Sequence, residues 1–294
     1  MRGRIPPEEM FPAGDPRFRT VHLPLPLRQE TVMVRAIECG DPLSSSVAFC
    51  VHGWACSVYS YRLLMPALAE LGIRSVAIDL PGHGLSDKPQ DESRYTLDAQ
   101  AESVIAAMDA MRIPRAALVG HSMGGPICAR VAVLAPQRVS ALALLAPVGF
   151  GTEPEVWALR AVTPRAIAPA LPFLTRRWMF ELVLNRAYGP RHRPTGRDLD
   201  EYWAPTQFRH FVPAMWDILH IFEWGAGIDC GFGEIRAPTA IIDGDDDNLV
   251  IRRWVRRYAT VVKHASVSVI EGCGHVIPEE APEFAARAIR GLIG

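Results

Sequence analysis

Two widely separated residues in this 294-residue sequence have the types and settings needed for nucleophilic chemistry. Ser122 lies in Gly120-His121-Ser122-Met123-Gly124, a G-x-S-x-G motif preceded by an apolar stretch and followed by helix-forming residues. A serine at such a strand-to-helix turn projects its hydroxyl at a helix N-terminus, where developing negative charge is stabilised. A glycine-rich turn without chemistry would carry the same short motif, so the flanking strand and helix are what favour a nucleophile.

A serine hydroxyl needs a base to remove its proton, and His275 is the candidate. It ends Gly272-Cys273-Gly274-His275, directly after the last predicted strand, and the two glycines allow that loop to turn toward Ser122. Cys273 offers an alternative thiol nucleophile, but a residue this close to the base in sequence is poorly placed to replace Ser122. A carboxylate to orient the histidine is available among the four acidic residues at positions 243–247. A solvated acidic turn is the competing interpretation of that cluster.

These residues need a scaffold, and the apolar pattern predicts one. Strands alternate with helices, which favours an α/β fold with a doubly wound, mostly parallel sheet. Residues 1–18 contain four prolines and little periodicity, so we expect an extended arm there. The predicted strands cover 32–39, 47–51, 73–80, 116–120, 139–145, 239–243 and 266–270, and helices are predicted at 61–71, 97–108, 123–134, 252–260 and 282–292.

The alternation stops between residues 149 and 234, where five of the seven tryptophans lie and no strand is predicted. We expect a helical cap there, which divides the chain into core 1–148, cap 149–234 and core 235–294. Eight arginines between Arg160 and Arg197, against the single carboxylate Glu181 before Asp198, favour an anionic substrate group as a secondary possibility.

Composition excludes several classes of protein. A formal net charge of −1 gives no reason to expect a nucleic-acid partner, and the apolar runs are too short to span a bilayer. No apolar stretch follows the first arginines, and the six cysteines lack CxxC spacing. We therefore expect a cytoplasmic monomer or homodimer with free thiols and a small-molecule substrate.

Further motifs resemble the α/β-hydrolase fold family over about residues 32–293, apart from the cap. Val51-His52-Gly53-Trp54 resembles the family's His-Gly segment, and residues 79–86 resemble its loop after the fourth strand. The resemblance implies an oxyanion hole formed by the backbone N–H groups of Trp54 and Met123. The family's Gly-x-x-Asp pattern after the seventh strand implies Asp247 as the acid, with Asp245 supporting the loop.

The implied activity is cleavage of a small apolar or aromatic carboxylic ester through an acyl-enzyme, with no cofactor and no metal. Ser122 argues against epoxide hydrolases and haloalkane dehalogenases, which resemble the fold but carry Asp in place of the serine at this strand-to-helix turn. C–C bond hydrolases, amidases or iminopeptidases, perhydrolases and a non-catalytic ligand-binding protein remain alternatives. The candidate substrate-binding residues are His52, His121, Trp157, Trp203 and Val250.

Overall fold

One eight-stranded sheet forms the centre of the computed structural model, which describes residues 5–27, 30–225, 227 and 229–294. The order across the sheet is β1-β2-β4-β3-β5-β6-β7-β8. β1 pairs antiparallel with β2, and β2 pairs antiparallel with β4, while every other pair is parallel. The strands are β1 (Phe18–Leu27), β2 (Glu30–Cys39), β3 (Val47–Val51), β4 (Arg74–Ile78), β5 (Ala116–His121), β6 (Val139–Leu145), β7 (Thr239–Gly244) and β8 (Ala265–Ile270).

Helices cover both faces of the sheet. Successive strand residues point to opposite sides, so each face presents apolar side chains that a helix layer buries. On β3, Phe49 and Val51 belong to one core cluster, and Ala48 and Cys50 belong to the other. The first cluster includes α2 (Leu97–Ala110), α3 (Gly124–Leu134) and α9 (Arg252–Val261), and the second includes α1 (Leu64–Glu70) and α11 (Pro282–Ile293). This two-sided core confirms the predicted α/β class.

The N-terminal region differs from the prediction. In the described part of residues 1–18, Pro7–Glu9 forms a 3₁₀ turn, and Phe18 begins β1, so the predicted extended arm is wrong there. β1 itself was not predicted, since Pro24 and Pro26 interrupt its pattern. Prolines are tolerated because β1 is an edge strand, where a missing N–H can face away from the partner. The predicted strands elsewhere match the observed ones to within two residues at each end.

In the described chain between β6 and β7 the regular elements are all helical. They are α4 (Pro154–Val162), α5 (Leu171–Leu174), α6 (Arg177–Ala187), α7 (Gly196–Trp203) and α8 (Phe211–Ile221). α8 packs into the main core through Ile218 and Leu219. The division into a cap and two core parts stays a prediction, but this helical segment begins at the carboxyl edge of the parallel strands.

A buried ionic network fastens the helical segment to the core. Glu279 in α10 (Ile277–Glu280) accepts hydrogen bonds from Arg62 at 2.5 Å, from Tyr188 at 2.5 Å and from Tyr202 of α7. Arg62 also donates to Asp198 of α7 at 2.7 Å. Because each charge here has a partner of opposite sign, burial of the group is tolerated.

Candidate active site

Ser122 lies at the turn between β5 and α3 in a left-handed conformation, with φ of 53°. A non-glycine residue adopts this conformation only when the surrounding structure imposes it. Here the Ser122 N–H donates to the Leu145 carbonyl of β6 at 2.9 Å, and the Gly125 N–H donates to the Ser122 carbonyl at 2.9 Å. These bonds hold the serine at the strand-to-helix turn that the motif predicts.

Two glycines of the motif are required by close backbone contacts. A Cβ on Gly120 would lie 2.3 Å from the Gly124 carbonyl oxygen, and a Cβ on Gly124 would lie 1.9 Å from the Val51 carbonyl oxygen. Both contacts are with backbone atoms, which cannot move aside as a flexible side chain could. The G-x-S-x-G spacing is therefore explained by the packing of this turn against β3.

His275 and Asp247 form a direct pair. The two side chains approach at 2.8 Å between His275 Nδ1 and Asp247 Oδ2. The other Asp247 oxygen accepts from the backbone N–H groups of Leu249 at 2.7 Å and Val250 at 3.0 Å. With Nδ1 donating to the carboxylate, a neutral His275 carries its lone pair on Nε2, which is the arrangement a general base requires.

Burial and charge act in opposite directions on this pair. Burial alone would raise the pKa of Asp247, but the charge and hydrogen bond of His275 and the two backbone donors lower it below its ordinary value. Burial alone would lower the pKa of His275, but Asp247 outweighs this effect, and Asp243 and Glu153 add to it, so the pKa is raised. An ionised Asp247 thus stabilises the protonated imidazole.

The loop that carries His275 is fixed beside the serine turn by His121. The His121 Nε2 lies 2.9 Å from the His275 carbonyl oxygen, and the two imidazole rings lie 4.9 Å apart. Burial and the neighbouring charge of His275 lower the pKa of His121 to about 3, so its ring is neutral and Nε2 donates. Since His121 directly precedes Ser122, this contact joins the serine turn and the His275 loop.

A second turn approaches Ser122 from the end of β3. A Cβ on Gly53 would lie 3.0 Å from the Ser122 Cβ, and the Trp54 amide follows directly. Within the described ranges, neither the Trp54 N–H nor the Met123 N–H donates to an acceptor in the protein. Two such amides on either side of the serine turn are the donor type that a tetrahedral oxyanion requires.

His52 fixes this second turn. It is buried, its Nε2 accepts from the Leu80 N–H at 3.1 Å, and its Nδ1 lies 2.8 Å from the Gly53 carbonyl oxygen. Both ring nitrogens are therefore occupied by backbone groups. The structure favours a positioning role for this residue over the predicted contact with substrate. Buried His121 uses Nε2 on the His275 carbonyl oxygen, while its Nδ1 has no partner among the described residues.

The remaining predicted substrate-binding residues lie in different surroundings. Trp157 on α4 is 69% exposed, which does not favour a place in a substrate pocket. Trp203 on α7 is buried with its ring 5.3 Å from that of Phe180. Val250 is buried, and its backbone N–H donates a hydrogen bond to Asp247, which holds it next to the pair. The sequence shows the apolar character of these residues but not the side of the helix on which each lies.

Sequence reasoning did not single out Asp243, although it lies at the end of β7 beside the pair. It is buried, and its Oδ1 has no hydrogen-bond partner in the part of the chain that is described. Burial and the charge of Asp247 raise its pKa to about 6. The dense acidic run at 243–247 was the available signal. Asp245, which was expected to support the loop, accepts from the Gly272 N–H at 2.5 Å.

Cys273 is buried next to the base, and burial raises its pKa to about 12. It therefore stays a neutral thiol near pH 7, which argues against the thiol alternative.

A cavity of about 490 Å³ opens elsewhere, beside the start of β2 and residues 85–90 and 208–210, and no predicted site residue lines it. Among the described residues, no cluster of three or more His, Cys, Asp or Glu side chains could hold a metal ion.

The fold and the serine turn define the class of protein. A model of the alpha/beta hydrolase fold family matches residues 49–282, and the chain belongs to this family. It is 27% identical over 252 residues to the uncharacterized hydrolase YugF of Bacillus subtilis (strain 168), covering 83% of this chain and 88% of that protein. It is 28% identical over 247 residues to the 2-hydroxymuconate semialdehyde hydrolase of Pseudomonas sp. (strain CF600), covering 80% of each.

A solved structure supports the fold independently. The crystal structure of Cfl2 wild-type from Burkholderia cenocepacia aligns with a TM-score of 0.79 at 23% identity, covering 95% of this chain and 98% of that one. Several other curated relatives are matched over only 21–33% of their own length. In the described part of the chain, no helix combines the length and apolarity needed to cross a membrane.

Proposed function

We propose that this protein is a serine hydrolase that cleaves small apolar or aromatic carboxylic esters through an acyl-enzyme. The observation that carries the proposal is the combination of Ser122 at its left-handed turn with the 2.8 Å pair of His275 and Asp247. Each of the three residues then has a distinct role. Ser122 attacks, His275 transfers the proton, and Asp247 orients and stabilises the imidazolium.

The proposed reaction has two halves. Ser122 Oγ attacks the ester carbonyl while His275 Nε2 takes the hydroxyl proton, and the N–H groups of Trp54 and Met123 bind the oxyanion. Collapse of this intermediate breaks the ester bond, and His275 returns the proton to the departing alcohol. Water then attacks the acyl-enzyme with His275 again as base, which releases the acid and restores Ser122.

Aromatic packing at the turn after β3, which carries Trp54, supports an apolar substrate. The Trp54 indole N–H donates to the Met215 carbonyl of α8 at 3.2 Å, and its ring lies 5.9 Å from that of Trp224. The residue that supplies one oxyanion donor therefore joins the helical segment to the site through an aromatic cluster. An aromatic cluster next to the proposed oxyanion donors favours apolar acyl groups.

The test is kcat/KM across p-nitrophenyl esters and matched amides, with and without a distant carboxylate, at low and high salt. We expect the highest values for short apolar or aromatic esters and no measurable turnover by Ser122→Ala protein. A preference for small, highly polar esters would contradict the apolar site. A carboxylate preference that weakens with salt would instead assign the cap arginines to substrate binding.

A C–C bond hydrolase is the second candidate. It is favoured by the 28% identity to a 2-hydroxymuconate semialdehyde hydrolase over 80% of both chains. The same serine, base and oxyanion donors would act on a vinylogous diketone. Including such a diketone in the substrate panel separates the two candidates, since an esterase should show its higher kcat/KM with the esters.

A further inference from the structure

The helical segment exposes an unusual amount of large apolar surface. On α6, the exposed side chains include Trp178, Met179, Leu182 and Val183, which follow i, i+1, i+4, i+5 spacing and therefore share one helix face. On the other side of α6, Phe180 packs against Trp203, while Leu184 and Ala187 are buried. A helix that is apolar on two sides needs two partners, and the described residues supply only one of them.

The surface continues into the preceding helix. Phe173 and Leu174 at the end of α5 are 77% and 53% exposed, and Trp178 is 59% exposed. We call the exposed side chains of Phe173, Leu174, Trp178, Met179, Leu182 and Val183 the docking surface. α4 repeats the arrangement with exposed Trp157 and Val162. Large exposed apolar surfaces of this kind mark interaction sites.

Charge indicates which partner fits. Residues 154–187 contain five arginines and two carboxylates, although the whole chain has a net charge of −1. Two of the five, Arg165 and Arg177, pair with Glu92 and Asp200. Arg176 lies between α5 and α6, is exposed, and is held by the carbonyls of Phe173 and Thr175. Among the described residues Arg176 has no carboxylate partner, so its charge is available beside this aromatic and aliphatic face. That combination is typical of helices that lie in an anionic lipid interface.

A second copy of the chain fits this surface less well. A symmetric dimer would place the same face against itself and so bring the charges of two copies of Arg176 together. α6 has 11 residues and spans about 16 Å, roughly half of the ~30 Å hydrocarbon core, so it can lie along a bilayer surface but not cross it.

We propose that the docking surface on α5 and α6 binds the surface of an anionic phospholipid bilayer. The last residue of α6, Ala187, accepts a hydrogen bond at 2.7 Å from the backbone N–H of His275. Docking would therefore hold the base and its loop next to the membrane. If the proposed esterase function is correct, esters dissolved in the bilayer reach the site from this side.

The test is cosedimentation of the full-length Ser122→Ala protein with vesicles of phosphatidylcholine containing 30% phosphatidylglycerol, at low and high salt. This variant separates membrane binding from activity. We expect binding that weakens with salt and that is much lower on pure phosphatidylcholine vesicles. Trp178→Ser/Leu182→Ser should reduce partitioning by about ten-fold or more, and Arg176→Gln by about five-fold.

Matched controls lie on other surfaces. Leu43 is 90% exposed and Arg287 on α11 is exposed, and Leu43→Ser and Arg287→Gln should leave vesicle binding unchanged. Absence of binding at low salt would overturn the proposal. Binding that the Trp178→Ser/Leu182→Ser change does not affect would also overturn it. So would a dimer, seen by analytical ultracentrifugation, that this double change dissociates, because a second copy would then be the occupant.

Discussion

Ser122, His275 and Asp247 depend on backbone contacts that fix each side chain in turn. The φ of 53° at Ser122 is imposed by hydrogen bonds from neighbouring segments, and Asp247 is oriented by two amides as well as by His275. His52 and His121 are buried beside them, and each uses at least one ring nitrogen on the backbone. At this scale, the reactive groups lie on loops, and buried polar contacts make those loops rigid.

Replacement of Asp247 tests the proposed acid. Asp247→Asn should reduce kcat by about 10²–10⁴, because the amide favours the wrong tautomer of His275. Activity requires neutral His275, and Asp247 raises the pKa of that histidine. Activity is therefore lost as the pH falls through this raised pKa. The substitution should therefore move the acid limb of the kcat/KM profile to lower pH.

Asp245→Asn is the matched control for that change. Asp245 Oδ1 accepts from the Gly272 N–H, and an asparagine carbonyl can accept the same hydrogen bond. We expect a much smaller loss of kcat and no shift of the acid limb. A larger loss in Asp245→Asn than in Asp247→Asn, with both proteins folded, would show that the acid has been assigned to the wrong residue.

At the scale of elements, the attachment of α7 and the end of α6 depends on Glu279. Glu279→Ala removes the acceptor of Arg62, Tyr188 and Tyr202 together, although Arg62 keeps its bond to Asp198. We expect the free energy of unfolding to fall by about 3 kcal/mol in denaturant titrations, because buried donors lose their partner. Glu283→Ala, at an exposed position of α11, should change it by less than about 0.5 kcal/mol. Equal effects of the two changes would show that the Glu279 network does not stabilise the fold.

Sequence pattern was a good guide to elements with a regular apolar repeat. The central strands were predicted to within two residues because their β-branched and apolar residues are bounded by glycine, proline and aspartate. β1 was missed because Pro24 and Pro26 weaken a strand pattern, and only its place at the sheet edge makes them acceptable. That place is a tertiary property.

Side-chain direction in the helical segment was harder to predict. Trp157 and Trp203 have the same apolar character, yet the first is exposed on α4 and the second is buried on α7. The difference depends on how each helix packs against its neighbours, and local sequence does not contain that information. Ser122 and His275 were singled out by their turn chemistry and chain order, and Asp247 by the resemblance to the family. Their catalytic roles stay predictions.

At the scale of the whole molecule, Asp243 affects stability as a function of pH. Burial and the charge of Asp247 raise its pKa from 3.8 to about 6, so the folded state binds its proton more tightly than the unfolded chain does. This contribution of Asp243 is most favourable below pH 3.8 and is lost as pH rises through about 6. Asp243→Asn should therefore increase the free energy of unfolding at pH 8 and have less effect at pH 4. The contact of 3.8 Å between Asp243 Oδ2 and Arg252 Nε only partly offsets this effect. An unchanged or lower stability at pH 8, measured by urea titration, would contradict a net unfavourable burial of the carboxylate.

The central claim is that Ser122 is a nucleophile activated by His275, and covalent labelling with a fluorophosphonate tests it most directly. We expect one label per chain, located at Ser122 by peptide mass spectrometry, with no labelling of Ser122→Ala protein. Labelling should be slowed by at least about 10³-fold in His275→Ala protein, because the hydroxyl then lacks its base. Folded wild-type protein that stays unlabelled, or is labelled at another residue, would contradict the account.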